Sequence, residues 1–289
     1  MKNTNRPWFF ALGFFALSAA SSFEAAAGIQ ASKVSSDLSQ ATIADTAWSG
    51  AAEELVTLMA QPMALPRPKT TTTSTVKVQA IHNGEWIAFR LRWKSDSKNE
   101  AGVIGKFSDA VALQFPTKKG TPPPIFMGAK GNPVHIFHWR AQYQKDLEKG
   151  KPEMRDLYPN MNPDMYPMEF KDQGNVTGLT EEMREVYSPS KASGNPQSFG
   201  KPSAVDEILA EGFGTSAVIQ NRQAIGRGEW KDGEWSVVIT RPLKRENGST
   251  LDVGENGFVA LAVWQGGQQE AGSRKSVTMS WVPLTVSAK

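Results

Sequence analysis

Thr75-Val76-Lys77-Val78-Gln79-Ala80-Ile81, His82-Asn83-Gly84-Glu85 and Trp86-Ile87-Ala88-Phe89-Arg90-Leu91-Arg92-Trp93 follow one another without a break, and their reading decides the fold. The first run alternates apolar and polar residues with the period of a strand. Asn83-Gly84 is a hairpin-turn dipeptide. In the second run Ile87, Phe89, Leu91 and Trp93 share one face, and Trp86, Ala88, Arg90 and Arg92 share the other. The pattern predicts a β-hairpin with His82 solvent-exposed in its turn.

The same signals recur downstream. Asp109–Phe115 reads as a strand ended by Pro116, and Val134–Trp139 as another. Ala224–Trp230 and Trp235–Arg241 flank a second tight turn, Lys231-Asp232-Gly233-Glu234, and Pro242 ends the pair. Gly257–Trp264 is apolar almost throughout and suits a central strand, and Ser276–Val282 is the last strong run. Pro202–Leu209 reads as one or two helical turns. Eight or so short strands with hairpin turns predict an all-β chain, an antiparallel two-sheet β-sandwich.

Between these runs the pattern lapses. Residues 28–46 are rich in Ala, Ser and Gln and read as a flexible lead-in. Trp48–Leu65 suits a short helix or an edge strand, stopped by Pro62, Pro66 and Pro68. About 141–204 no period persists, so this stretch is read as an irregular insertion with short helices at Ala141–Lys149 and Thr180–Val186. It suits a partner-facing or cofactor-covering excursion, and residues 28–289 are expected to form one domain around it.

The first 27 residues are expected to be a cleavable signal peptide. Lys2 and Arg6 precede an apolar run, Trp8–Ala20, and Ala25-Ala26-Ala27 offers small residues for cleavage. No second membrane-spanning candidate follows, so the expectation is a soluble periplasmic protein without an integral span. Cysteine is absent, which excludes disulfides, thiol catalysis, cysteine-ligated iron–sulfur clusters and thioether-linked haem. Net charge is +3 with no stripe of Lys and Arg among aromatics, a pattern that speaks against nucleic acid.

Chemistry concentrates in Pro124-Ile125-Phe126-Met127-Gly128-Ala129-Lys130-Gly131-Asn132-Pro133-Val134-His135-Ile136-Phe137-His138-Trp139-Arg140. Met127, His135 and His138 are candidate iron ligands there, on a loop with aromatic walls. The competing reading is a turn between buried strands with Met127 as core filler. His135 and His138 lie three apart in a strand, so they face opposite sides and cannot share one metal. Lys275 opens the last strand and reads by itself as a solvated edge charge. No G-x-S-x-G or H-E-x-x-H pattern occurs, Asp109 and Asp206 stand isolated, and Gly226-Arg227-Gly228 lacks the setting of a phosphate loop.

Taken in order, several pieces resemble the haem-binding gamma subunit family of ethylbenzene dehydrogenase, dimethylsulfide dehydrogenase, selenate reductase and chlorate reductase. They include Asn83-Gly84-Glu85-Trp86, Leu91-Arg92-Trp93, Asp109–Pro116, Phe126-Met127-Gly128 and His138-Trp139-Arg140-Ala141. Further on are Glu211-Gly212-Phe213-Gly214-Thr215, Trp230–Trp235, Arg241-Pro242-Leu243, Ala262-Val263-Trp264 and Arg274-Lys275-Ser276-Val277. The resemblance implies a β-sandwich holding one non-covalent haem b between a methionine and a lysine, here Met127 and Lys275. His138 and Trp139 match the family's His-Trp pair and are expected in the haem wall.

The resemblance also implies a non-catalytic electron-transfer subunit. Its partners would be a molybdenum-containing alpha subunit, an iron–sulfur beta subunit, and a soluble cytochrome or quinone-linked carrier. A thioether favours reduced iron, whereas a lysine must first lose its proton, at a cost of roughly 4.6 kcal/mol at pH 7 from its ordinary pKa. Two other readings stand beside this one: a stand-alone periplasmic cytochrome b, and a sugar-binding β-sandwich module without haem.

Overall fold

A computed structural model describes residues 28–101, 103, 105–150, 159–160 and 202–288. The expected signal peptide, the helix expected at Thr180–Val186 and most of the 141–204 insertion lie outside these residues.

The strands in chain order are β1 (Ile29–Lys33), β2 (Glu54–Thr57), β3 (Met59–Ala60), β4 (Thr75–His82), β5 (Trp86–Lys94), β6 (Ala110–Pro116) and β7 (Val134–Arg140). One α-helix, α1 (Ala141–Lys149), follows where the sequence placed it. Then come β8 (Val205–Ala210), β9 (Ala217–Val218), β10 (Ile225–Lys231), β11 (Glu234–Pro242), β12 (Asn256–Trp264), β13 (Ser276–Val277) and β14 (Val282–Val286). Both turns read from sequence are present. Gly84 has φ +96°, and Asn83 Oδ1 accepts from the amides of Glu85 and Trp86 at 3.0 and 2.8 Å. Asp232 and Gly233 both take positive φ, 50° and 80°, as a two-residue hairpin loop requires.

The strands run in the order β10-β11-β5-β4-β1-β14-β12-β6-β7-β8-β9. β12 joins two halves: Asn256–Val259 pairs with β14, and Ala260–Trp264 pairs with β6. The halves pack face to face. Phe89 of β5 meets Phe115 of β6 with ring centroids 5.7 Å apart, and Trp235 of β11 meets Trp139 of β7 edge-on at 5.2 Å. Each such buried side chain stabilises the layers by about 1.5–3 kcal/mol.

Four expectations need correction. The sheet is mixed, since β1 runs parallel to both of its neighbours, β4 and β14. The same strand shows that 28–46 is not a loose lead-in: Ile29 and Ala31 are core residues, and Leu38 packs with Trp48. Five residues are too short for a periodic signal, and this strand is held by partners distant in sequence. Residues expected as helical turns before Leu209 form β8, because their neighbours are the edge of β7 and the short β9. His82 is buried at the end of β4, with Nε2 2.7 Å from the carbonyl oxygen of Ser287.

Asp109, isolated in sequence, ties the halves together. It accepts from Trp235 Nε1 at 2.9 Å, from the amide of Gly266 at 2.7 Å and from the amide of Asn99 at 2.8 Å. Any side chain at Gly266 would strike the carbonyl oxygen of Phe107 at 1.9 Å. Asp206, also isolated in sequence, is buried and ion-paired with Arg222 at 2.8 Å.

A cavity on the outer face of the second layer

Strands β6 and β12 carry apolar residues on both faces. Val111, Leu113, Phe115, Val259, Leu261 and Val263 point into the core. The opposite face would be expected to be polar in a solvated sheet. It carries Ala112, Ala260 and Ala262 instead, with Ile136 of β7 and Trp264 alongside. These small side chains leave a recess, and loops close over it to make a cavity of about 290 Å³. That is near the lower end for small-molecule sites.

Met127 and Lys275 both line this cavity. Met127 enters on the loop between β6 and β7. Its backbone is left-handed, φ +67°, a conformation that costs a non-glycine residue of the order of 1 kcal/mol. The loop enforces it. The Met127 amide donates to the carbonyl of Ile125 at 2.9 Å, and its own carbonyl accepts from the amide of Gly212 at 2.8 Å. Gly128 follows, also at positive φ, where a Cβ would sit 2.9 Å from the carbonyl oxygen of Asn132. Contacts within the β6–β7 loop and one from the β8–β9 loop thus hold this strained methionine at the cavity wall.

Lys275 comes from the other side, just before β13. The pairing of β13 with β12 fixes its backbone, and its carbonyl accepts from the amide of Gln61 at 3.1 Å. Its side chain is half-buried, with Nζ 4.8 Å from the Trp264 ring centroid. No carboxylate pairs with it among the described residues. Burial pushes its ammonium down to about 8. A solvated edge lysine would show neither feature.

His138 does not line this cavity; it lies behind it. Its ring stacks on Trp264 at 4.5 Å, is held neutral by burial, and Trp264 Nε1 donates to the carbonyl of Gly272 at 3.0 Å. Trp139 faces the opposite way, into the core, where it fills the space left by Gly226 and Gly228. His135 also faces inward, with Nδ1 3.2 Å from the Ser249 amide and Nε2 3.4 Å from Glu207. The two histidines are thus on opposite sides of β7. Trp264, Phe213 and Gln61 line the cavity without having been singled out as site residues. The signal was present for one of them: a strand that is apolar on both faces and ends in Trp264 needs a cover on both sides.

Fold and cavity together define a two-layered β protein with an apolar cavity on one outer face. The chain belongs to the ethylbenzene dehydrogenase family, whose model matches residues 45–276. It is 26% identical over 236 residues to a Haloferax mediterranei protein named as the heme subunit of a respiratory nitrate reductase, covering 80% of this chain and 63% of that one. It thus spans somewhat under two thirds of that relative's length. It is 25% identical over 241 residues to the chlorate reductase subunit gamma of Ideonella dechloratans, covering 82% of this chain and 76% of the relative. Among solved structures, a family 9 carbohydrate-binding module from Caldicellulosiruptor kristjanssonii in complex with glucose is similar at a TM-score of 0.43 and 7% identity, over 89% of this chain and 94% of that one. Among the described residues no helix is long and apolar enough to cross a membrane.

Proposed function

We propose that this chain is a gamma-like electron-transfer subunit that carries one haem b in the cavity of Met127 and Lys275. The observation that carries the reading is the meeting of two ligand types, far apart in sequence, on the walls of one apolar recess. The family and the two relatives named as subunits of reductases support it.

The residues fit such a group. Ala112, Ala260 and Ala262 leave flat apolar room, Met127 offers a thioether on a strained loop, and Lys275 offers an amine already part-way to deprotonation. From a pKa of about 8, losing the proton at pH 7 costs about 1.4 kcal/mol, against roughly 4.6 for an ordinary lysine. Haem bound there supplies one-electron chemistry. Met127 and Lys275 would hold the group between them, which fits a chain that is itself non-catalytic.

In this reading residues 28–289 form one exported, periplasmic domain after loss of the signal peptide. It works beside a molybdenum-containing alpha subunit and an iron–sulfur beta subunit, and exchanges electrons with a soluble cytochrome or quinone-linked carrier. Purified protein is expected to show a Soret band whose pigment leaves in acid-acetone, since no cysteine is present to hold it. It is expected to co-purify with a large molybdoprotein. Absence of a Soret band after reconstitution with haemin would overturn the proposal.

A further inference from the structure

A second chamber, of about 370 Å³, lies beside the first and shares Trp264 and Gly272 with it as a common wall. Its chemistry is different. Lys106, His138 and Arg140 line it, and the Arg274 guanidinium lies over Phe107, another wall residue, at 5.7 Å. Among the described residues no carboxylate forms a salt bridge with Lys106 or Arg140, and Arg274 acts on Glu270 without a direct ion pair. The wall's one acid, Glu270, is already engaged: its two oxygens accept from Thr72 Oγ1 and from the Gln265 amide, each at 2.9 Å.

Two buried donors in this region also lack acceptors. The Arg140 guanidinium donates to Tyr143 Oη at 2.7 Å and to His138 Nδ1 at 3.4 Å. With Nδ1 accepting, the proton of the neutral His138 ring sits on Nε2. That Nε2 is buried and has no partner, and so is Arg274 Nε. Buried donors of native proteins are normally satisfied, so these leave places for an acceptor, and the Lys106 and Arg140 charges beside them favour an anionic one.

We propose that this chamber is a carboxylate site, the anionic continuation of the apolar cavity. Its occupant is either a carboxylate arm of the tetrapyrrole seated next door or a separate small carboxylate. The first source rests on the proposed haem function, whereas the second does not.

The test uses the full chain freed of haem and two metal-free probes, protoporphyrin IX and its dimethyl ester, followed by porphyrin fluorescence. Neither probe depends on axial ligation. If the arms enter the chamber, the diacid binds more tightly than the diester, by roughly tenfold or more. Lys106→Gln and Arg140→Gln each shrink that ratio and leave diester affinity unchanged. Lys106 is exposed, so its variant keeps the test valid should Arg140→Gln fail to fold.

If both porphyrins bind alike, succinate titrated by calorimetry decides. Binding that Lys106→Gln weakens assigns the chamber to a separate carboxylate. Equal porphyrin affinities with no succinate binding would overturn the proposal. Succinate binding without porphyrin binding would assign the chamber to the separate carboxylate and leave the haem reading to the haemin reconstitution.

Discussion

The Lys275 ammonium lies 4.8 Å from the centroid of the Trp264 ring and has burial as the cause of its lowered pKa, about 8. In the haem-free chain this has a signed consequence. The unfolded lysine titrates near 10.5, so between pH 8 and 10.5 the unfolded state binds more protons than the folded one. Stability therefore rises with pH through that window. Wild type minus Lys275→Met, compared by urea unfolding at each pH, should recover of the order of 2 kcal/mol there. A difference that stays flat with pH would refute the half-buried, unpaired state.

The proposed ligation by Met127 and Lys275 makes a separate set of spectral predictions. Met127→Ala and Lys275→Ala should each leave the iron high-spin and able to bind carbon monoxide. Lys275→Arg should not rescue, because guanidinium keeps its protons. His138→Ala should retain the low-spin spectrum, since that ring lies behind Trp264. Low-spin iron that survives Lys275→Ala but not His138→Ala would replace the lysine with the histidine.

Backbone strain at Met127 can be separated from its thioether. Its φ of +67° suits glycine, so Met127→Gly should be more stable than Met127→Ala by about 1 kcal/mol in thermal unfolding of the haem-free chain. Both should lose the low-spin spectrum alike. Equal stabilities would show that the loop relaxes once the side chain is gone.

Acid sensitivity should arise on the other side of β7. Burial raises the Glu207 carboxyl, but His135, the amides of Ala224 and Gln223 and the Arg245 guanidinium outweigh it and hold the group down at about 2. Its stabilising effect is present above the unfolded value of 4.5 and is lost as pH falls from there through about 2. Glu207→Gln should cost about 3 kcal/mol at pH 7 and flatten the acid limb of the stability curve.

Much of this fold could be read from the chain, and the reasons are local. Asn83-Gly84 and Asp232-Gly233 carry turn chemistry in two residues, so both hairpins were legible. So was the opposition of His135 and His138, which follows from the pleat alone. What escaped depends on partners far away. His82 is buried because Ser287 reaches it, and Gly226 and Gly228 serve Trp139 rather than a phosphate. Of the site, Met127 and Lys275 came from family resemblance, and residue spacing by itself left both as filler and edge charge. The cavity floor was written in Ala112, Ala260 and Ala262, but a row of alanines does not say whether protein or ligand covers it.

Gly228 offers a packing test. A Cβ there would sit 2.3 Å from Trp139 Cζ2, so Gly228→Ala should destabilise by about 1–3 kcal/mol in chemical denaturation. Trp139→Phe in the same chain should recover part of the loss. No loss in the single variant would mean that the indole can shift.

The parallel seating of β1 bears on how the protein is made. Ile29 pairs with Leu284 and Ala31 with both Val286 and Ala80, so β1 is clamped between β4 of the hairpin and β14, which follows far later in the chain. Closing that gap demands a loop of more than two hundred residues, and such distant pairings form slowly. The hairpin of β4 and β5 can form as soon as it is synthesised. The seam at β1 must wait for β14, which leaves the sheet open at its middle until Val282–Val286 is available. A chaperone that holds the emerging polypeptide would find its substrate here: unpaired β-edges flanking an otherwise completed hairpin.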